Sequence, residues 1–361
     1  MKIRAIDISR LDVATPPPRN TYYPNNSYVV VRVKTDEGIE GLGYTMLVGG
    51  NGASSVQAYL KDNLAPLLEG EDPTHTGRLW QKMYDADRGI RKKGIPMYAL
   101  SAVDIALWDI VGKSVQRPLW QLWGAVSDKV PVYGGGGFLS YSVDDIVKEA
   151  EATFAIGAKH YKMKVGLAPL PDLMANVKRV AAVRKAIGDA PRLLVDVNQR
   201  LDVHSNVRLA NAIEPCDIFW YEEPVYADNI GQCAEVARRI NIPVATGENE
   251  YTRYGFRDLV EQKAASILNP DIMRCGGFSE LLKISHLAAA YDIGIAPHLA
   301  PELSIHVLAA IPNATLLEWS ITRTRVWQEE PVVDNGFLRV PHRPGHGMEF
   351  SEEALAKYRV K

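Results

Sequence analysis

Cysteine is scarce in these 361 residues: Cys216, Cys233 and Cys275 are the only three, they lie far apart, and their number is odd. They form neither a disulfide framework nor a C-x-x-C metal pattern, which predicts a chain at work in a reducing compartment. Excess charge is missing too. Lys plus Arg number 41 against 43 for Asp plus Glu, a net charge of −2. No electrostatic footprint for nucleic acid or an anionic membrane follows from that balance. No apolar run reaches membrane-span length without a charge, and the start, Met1-Lys2-Ile3-Arg4-Ala5, lacks a signal-peptide core. Low-complexity tracts are absent as well. What is there is 47% hydrophobic and 23% charged residues, enough for a large core. The expectation is a cytoplasmic globular protein with a small-molecule partner and no nucleic-acid or membrane partner.

The first third mixes strands with helices. Residues 2–13, 27–34 and 39–46 read as strands, the second rich in β-branched residues, with turn chemistry at Thr35-Asp36-Glu37-Gly38. Helical patterns follow over 53–67, 73–88 and 95–114. In the last, Ala99, Ala102, Val103, Ala106, Leu107, Ile110 and Val111 make one apolar face. Strands first and helices after describe an α+β module. From about residue 130, eight short apolar runs alternate with helix-length amphipathic stretches, from Val130-Pro131-Val132-Tyr133 to Ala314-Thr315-Leu316-Leu317. That rhythm predicts an α/β fold, a TIM-type (β/α)8 barrel. A doubly wound sheet is the alternative, but Gly134 to Gly137 has no helix directly after it and makes a poor dinucleotide fingerprint. The expected domains are an α+β module over 1–125, a barrel over 126–320, and a segment over 321–361 that returns to the first module.

Barrel active sites sit at the C-terminal ends of the strands. The runs end in Lys162 and Lys164, Asp196, Glu222, Glu248, Asp271, His298 and Glu318, and from Lys164 on the steps are 20 to 32 residues, one βα unit each. Singly, such residues are ordinary solvated charges. In phase, they converge on one mouth. Asp196, Glu222 and Glu248 come from consecutive strands and would repel one another. A hard divalent cation with oxygen ligands, such as Mg²⁺, relieves that repulsion, although separate surface ion pairs would also satisfy them. Lys162 and Lys164, two apart on a strand, point the same way, and a lysine beside a cation can act as a base. Asp271 bonded to His298 would fix a tautomer and make a second base. Glu318 could stay protonated and donate to developing oxyanion charge. Bases on either side of one metal suit removal of a proton α to a carboxylate through an enediolate.

These residues resemble a known family. Lys162-Met163-Lys164, Asp196-Val197-Asn198-Gln199, Tyr221-Glu222-Glu223-Pro224, Gly247-Glu248-Asn249, Asp271, Pro297-His298-Leu299 and Leu317-Glu318-Trp319 together look like the mandelate racemase subgroup of the enolase superfamily, over essentially the whole chain. The resemblance implies an N-terminal capping domain on a modified (β/α)7β TIM barrel and Mg²⁺ on Asp196, Glu222 and Glu248. It implies Lys164 and the His298–Asp271 dyad as acid/base catalysts, and Lys162 and Glu318 on the substrate carboxylate, with Asn198 in the substrate-binding set. It also implies a homo-oligomer, up to an octamer.

That motif set serves racemases, epimerases and acid-sugar dehydratases alike. The cap loops tilt the reading. Residues 15–26 offer Arg19, Asn20, Tyr22, Tyr23, Asn25 and Asn26 to a polyhydroxy chain, with Arg19 placed to meet a distal carboxylate. Gly49, Gly50, Asn51 and Gly52 have a lid composition. The expected activity is Mg²⁺-dependent β-elimination of water from an aldonate or aldarate, a hydro-lyase. The alternatives are a 2-hydroxyacid racemase or epimerase, a Schiff-base aldolase using Lys164, and a barrel kept for binding alone. Arg88 to Lys93 reads as a solvated charge run.

Overall fold

The computed structural model describes residues 1–17, 23–86, 88–90, 93–166 and 173–360. Three long strands open the chain, β1 (Ile3–Ala14), β2 (Asn25–Thr35) and β3 (Glu40–Val48), as an antiparallel sheet in the order β1-β2-β3. The run of valines explains how it packs, because successive side chains on a strand face opposite ways. Val29, Val31 and Val33 join a helical core, while Val30, Leu42 and Tyr44 join the core shared with the rest of the chain. Both faces are therefore buried, which fixes the sheet over the barrel.

The helix Ile95–Ser114 is the pivot of this module. Its spacing predicts one apolar face, but Ser101, Asp104 and Asp109 are buried too. It has the length and apolarity of a membrane span, and 78% of that window lies inside the fold. Glycines in β3 let it come close. A Cβ on Gly43 would lie 1.9 Å from the Ala102 carbonyl oxygen and 2.7 Å from the Ala106 nitrogen. Both are backbone atoms that cannot swing aside. Gly43→Ala should therefore cost about 1–3 kcal/mol, read as a lowered thermal unfolding midpoint. An unchanged midpoint would show that the sheet can lift from the helix.

Eight parallel strands follow: β4 (Lys129–Gly136), β5 (His160–Lys164), β6 (Arg192–Asp196), β7 (Ile218–Glu222), β8 (Val244–Thr246), β9 (Ile267–Leu268), β10 (Gly294–Ile295) and β11 (Leu317–Trp319). Each pairs with the next from β4 to β10; β11 pairs with β4, and an Ile295–Ala314 bridge closes the ring. A helix lies between every successive pair, the last being Pro301–Leu308, and β11 leads into irregular chain instead. The fold is thus a (β/α)7β TIM barrel with an α+β cap. Tyr133, Leu194, Trp220, Ala245, Ala296 and Leu316 pack together as a separate cluster. Leu194 and Trp220 each lie two residues before an acid, so Asp196 and Glu222 point the same way, one layer nearer the mouth.

The segment over 321–361 contains a hairpin that the sequence reading did not include. β12 (Val333–Asp334) and β13 (Phe337–Arg339) form a hairpin through Asn335-Gly336, both at positive φ, and β13 pairs antiparallel with β4. Beyond it the chain reaches the cap, where Arg32 pairs with Glu349 and Leu11 bridges Arg359.

Candidate active site

A cavity of about 470 Å³ opens over the C-terminal ends of the barrel strands. Its floor carries Lys162, Lys164, Asp196, Glu248, His298 and Glu318. Its roof comes from the cap, through Tyr28, Tyr44 and Met46, and from Thr322 and Arg323 of the segment after β11. Strain gathers at this rim. Asn198, Gln199, Glu223, Leu299 and Ala300 all hold positive φ without being glycine, a backbone cost that tends to persist where function over-determines it.

One arm of the site is cationic. Lys164 Nζ donates to Asp196 Oδ2 at 2.7 Å and to Asn198 Oδ1 at 2.9 Å. Burial pulls Lys164 down, but attraction to Asp196 outweighs it and the ammonium is held above its ordinary range. Lys162 Nζ lies 2.6 Å from Glu222 Oε1, 3.3 Å from Glu318 Oε1 and 4.0 Å from Asp196 Oδ2. Burial opposes its charge too, and Glu222 and Glu318 overcome it.

The opposite arm is the dyad. His298 Nδ1 lies 2.9 Å from Asp271 Oδ2, and its Nε2 lies 3.4 Å from Glu248 Oε2. Asp271 also accepts from the Met273 nitrogen at 2.8 Å. Burial lowers His298, while Glu248 and the bond to Asp271 raise it further, to a net position above its ordinary value.

The sequence reading lets Glu318 stay protonated; in the structure as it stands its carboxyl is held down, to about 2. Burial favours the neutral acid, but Lys162 and His298 overcome it, and Leu299 donates its backbone N–H to Oε2 at 3.0 Å.

Among the described residues, no three His, Cys, Asp or Glu side chains gather closely enough to hold a metal as they stand. Lys162 and Lys164 sit on the oxygens of Glu222 and Asp196 that a cation would need. Glu222 gives its other oxygen to Trp220 Nε1 at 2.9 Å and lies behind the cavity wall, whereas Glu223 lines it. The donor set nevertheless fits a hard cation. Asp196, Glu222, Glu223, Glu248, Asp271 and Glu318 are acids facing Lys162, Lys164, Arg274 and His298, so negative charge is in excess. Its effect is visible in the acids. Burial, with Asp196, Glu318 and Glu248 nearby, pushes Glu222 up to about 7; burial, then Glu248 and Asp196, pushes Glu223 to about 8. An all-oxygen set under this repulsion suits Mg²⁺.

Arg19, Asn20 and Tyr22 lie outside the described residues. Tyr23, Asn26 and Asn51, from the same two loops, line the cavity, as does Asn198. Several groups at the site have no role in the sequence reading: Glu223, Gln199 and Asn249, quoted only within motifs, and Arg274, Arg323 and the Tyr44–Glu302 pair. Lys93, expected to be solvated, pairs with buried Glu250 at 3.1 Å.

Residues 7–124 match the family "Mandelate racemase / muconate lactonizing enzyme, N-terminal domain", and residues 145–354 match "Enolase C-terminal domain-like". The chain is 35% identical over 333 residues to the 3,6-anhydro-alpha-L-galactonate cycloisomerase of Streptomyces coelicolor, covering 92% of this chain and 91% of that one. It is 31% identical to the arabinonate dehydratase of Saccharolobus solfataricus, over 92% of this chain and 91% of that one. The structure superposes with a TM-score of 0.91 on the L-talarate dehydratase of Polaromonas sp. JS666 complexed with Mg and L-glucarate, at 32% identity, covering 100% of this chain and 98% of that one.

Proposed function

The chain belongs to the mandelate racemase and muconate lactonizing enzyme family of the enolase superfamily, and from that membership we propose that it is an Mg²⁺-dependent dehydratase of an aldonate or aldarate. The observation that carries the reading is the pair of opposed arms, Lys164 on β5 and the His298–Asp271 dyad beyond β9 and β10, with the carboxylates of β6, β7 and β8 between them. A divalent cation held by Asp196, Glu222 and Glu248 would supply positive charge beside a carboxylate on which negative charge builds. Lys162 and Glu318 hold that carboxylate, the one as a donor and the other as an acceptor for a neighbouring hydroxyl. With Asp196 turned to the cation, Lys164 would lose the pairing that keeps it protonated, and its Nζ, as the free amine, takes the α-proton. His298, protonated and oriented by Asp271, gives a proton from Nε2 to the β-hydroxyl, which leaves as water. The enol left behind becomes a 2-keto acid.

The roof mixes aromatic and apolar side chains (Tyr28, Tyr44, Met46, Trp327) with polar ones, and the polar ones support an acid sugar. Asn26, Asn51, Thr322 and Arg323 offer hydrogen bonds to a polyhydroxy chain. The cycloisomerase relative keeps a second reading open, in which the same proton is removed but no water leaves; a racemase or epimerase would do likewise. Product decides. Incubated with Mg²⁺ and a panel of aldonates and aldarates, the protein should convert at least one to a 2-keto acid detectable as a hydrazone. Proton exchange at the α-carbon with no keto product would replace the dehydratase reading by the isomerase one.

A further inference from the structure

Glu223 is the one acid of the cavity wall whose described partners are all side-chain amides. Its Oε1 accepts from Gln199 Nε2 at 2.7 Å and Asn249 Nδ2 at 2.8 Å, and its Oε2 accepts from Asn198 Nδ2 at 3.2 Å. An amide has a donor end and an acceptor end, and all three amides here present their NH₂ groups to the Glu223 oxygens. By taking three NH₂ groups, Glu223 decides where three amide oxygens point. Asn198 Oδ1 turns to Lys164 Nζ at 2.9 Å. Asn249 Oδ1 turns to Arg274 Nη1 at 3.2 Å. Arg274 is buried, its Nε forms an ion pair with Asp271 Oδ2 at 3.1 Å without making a hydrogen bond, and that oxygen lies 2.9 Å from His298 Nδ1. Hydrogen bonds, with one ion pair at Arg274–Asp271, join one arm to the other: Lys164, Asn198, Glu223, Asn249, Arg274, Asp271, His298. Asn198 and Glu223 both sit at positive φ, 52° and 44°, so their backbones are committed to these places.

We infer that Glu223 and Arg274 are positioning residues that hold the two base arms in register, Glu223 by fixing the Asn198 amide against Lys164 and Arg274 by fixing Asp271 beside His298. The inference rests on the two-base reading and goes beyond it by assigning the residues that set the bases. Neither needs to touch substrate. Two substitutions separate the arms. In Glu223→Gln, the new oxygen can keep Gln199 and Asn249, while the new NH₂ replaces Oε2 and faces Asn198 Nδ2. Two donors then meet, Asn198 turns round, and its NH₂ confronts the Lys164 ammonium. Arg274→Lys keeps the charge but loses the fork that spans Asn249 and Asp271.

The test combines substrate-free crystal structures of both variants with α-proton exchange into D₂O, using substrates epimeric at the α-carbon. Glu223→Gln should separate Lys164 Nζ from Asn198 and leave the Asp271–His298 pair in place; Arg274→Lys should do the reverse. On the Lys164 side, kcat should fall roughly 10- to 100-fold in Glu223→Gln with KM little changed, and the His298 side should fall likewise in Arg274→Lys. Three outcomes overturn the inference. They are an intact Lys164–Asn198 contact in Glu223→Gln with an unmoved dyad in Arg274→Lys, an equal loss on both sides in each variant, or Mg²⁺ binding by calorimetry that vanishes in Glu223→Gln, which would make Glu223 a ligand. If the wild type exchanges no acid-sugar proton, the two-base reading fails, and the crystal structures still decide the placement.

Discussion

Lys164→Ala and His298→Asn should each cut product formation by roughly 10²- to 10⁴-fold, and the two losses should differ in kind. In the proposed mechanism the two bases flank the carboxylates of β6, β7 and β8, so each would address one configuration at the α-carbon. Lys164→Ala should stop proton exchange from one configuration and spare some from the other; His298→Asn should show the reverse preference. A dehydratase adds a second signature. His298 also gives the proton that lets the β-hydroxyl leave, so His298→Asn should block keto product while exchange through Lys164 continues. Asp271→Asn should follow His298→Asn more weakly, because it acts through the imidazole tautomer and the 2.9 Å bond that sets it. Near wild-type exchange and elimination in both base variants would end the two-base account.

The second large effect concerns the metal. Chelation should take turnover to background and Mg²⁺ should restore it, because the acids of the mouth outnumber the cations that face them. Glu222→Gln keeps the shape and removes a ligand charge. Its Mg²⁺ affinity by calorimetry should fall by more than the roughly 10–100-fold typical of an outer partner. Glu222 already accepts from Lys162 at 2.6 Å, so a cation there would share or replace that contact. If Glu222→Gln binds Mg²⁺ normally and Glu223→Gln does not, the ligand is the neighbour that lines the cavity.

Sequence reading was strongest where a period carried the signal. Each βα unit puts one strand end at the mouth, so spacing alone found Lys164, Asp196, Glu222, Glu248, Asp271, His298 and Glu318, and the structure brings all of them to one place. It was weaker where charge depends on neighbours. Nothing local says that Glu318 is ionised; Lys162, more than 150 positions away, decides it. Tyr44 and Arg323 reach the cavity through tertiary convergence that no spacing encodes. Other signals were present and unread. Asn335-Gly336 between apolar pairs is the common signature of a two-residue hairpin. Arg274 stands three residues after Asp271, and Glu223 follows Glu222 directly, yet their partners emerge only when β7, β8 and the chain after β9 lie side by side.

The most direct test of the central claim is NMR of the wild-type protein in D₂O with Mg²⁺ and the acid-sugar panel. The account predicts loss of the α-proton signal from at least one aldonate or aldarate, at a rate no slower than the appearance of 2-keto product, and none after chelation. A folded protein that leaves every α-proton in place with Mg²⁺ present, or that forms keto product from a substrate whose α-proton never leaves, would contradict it.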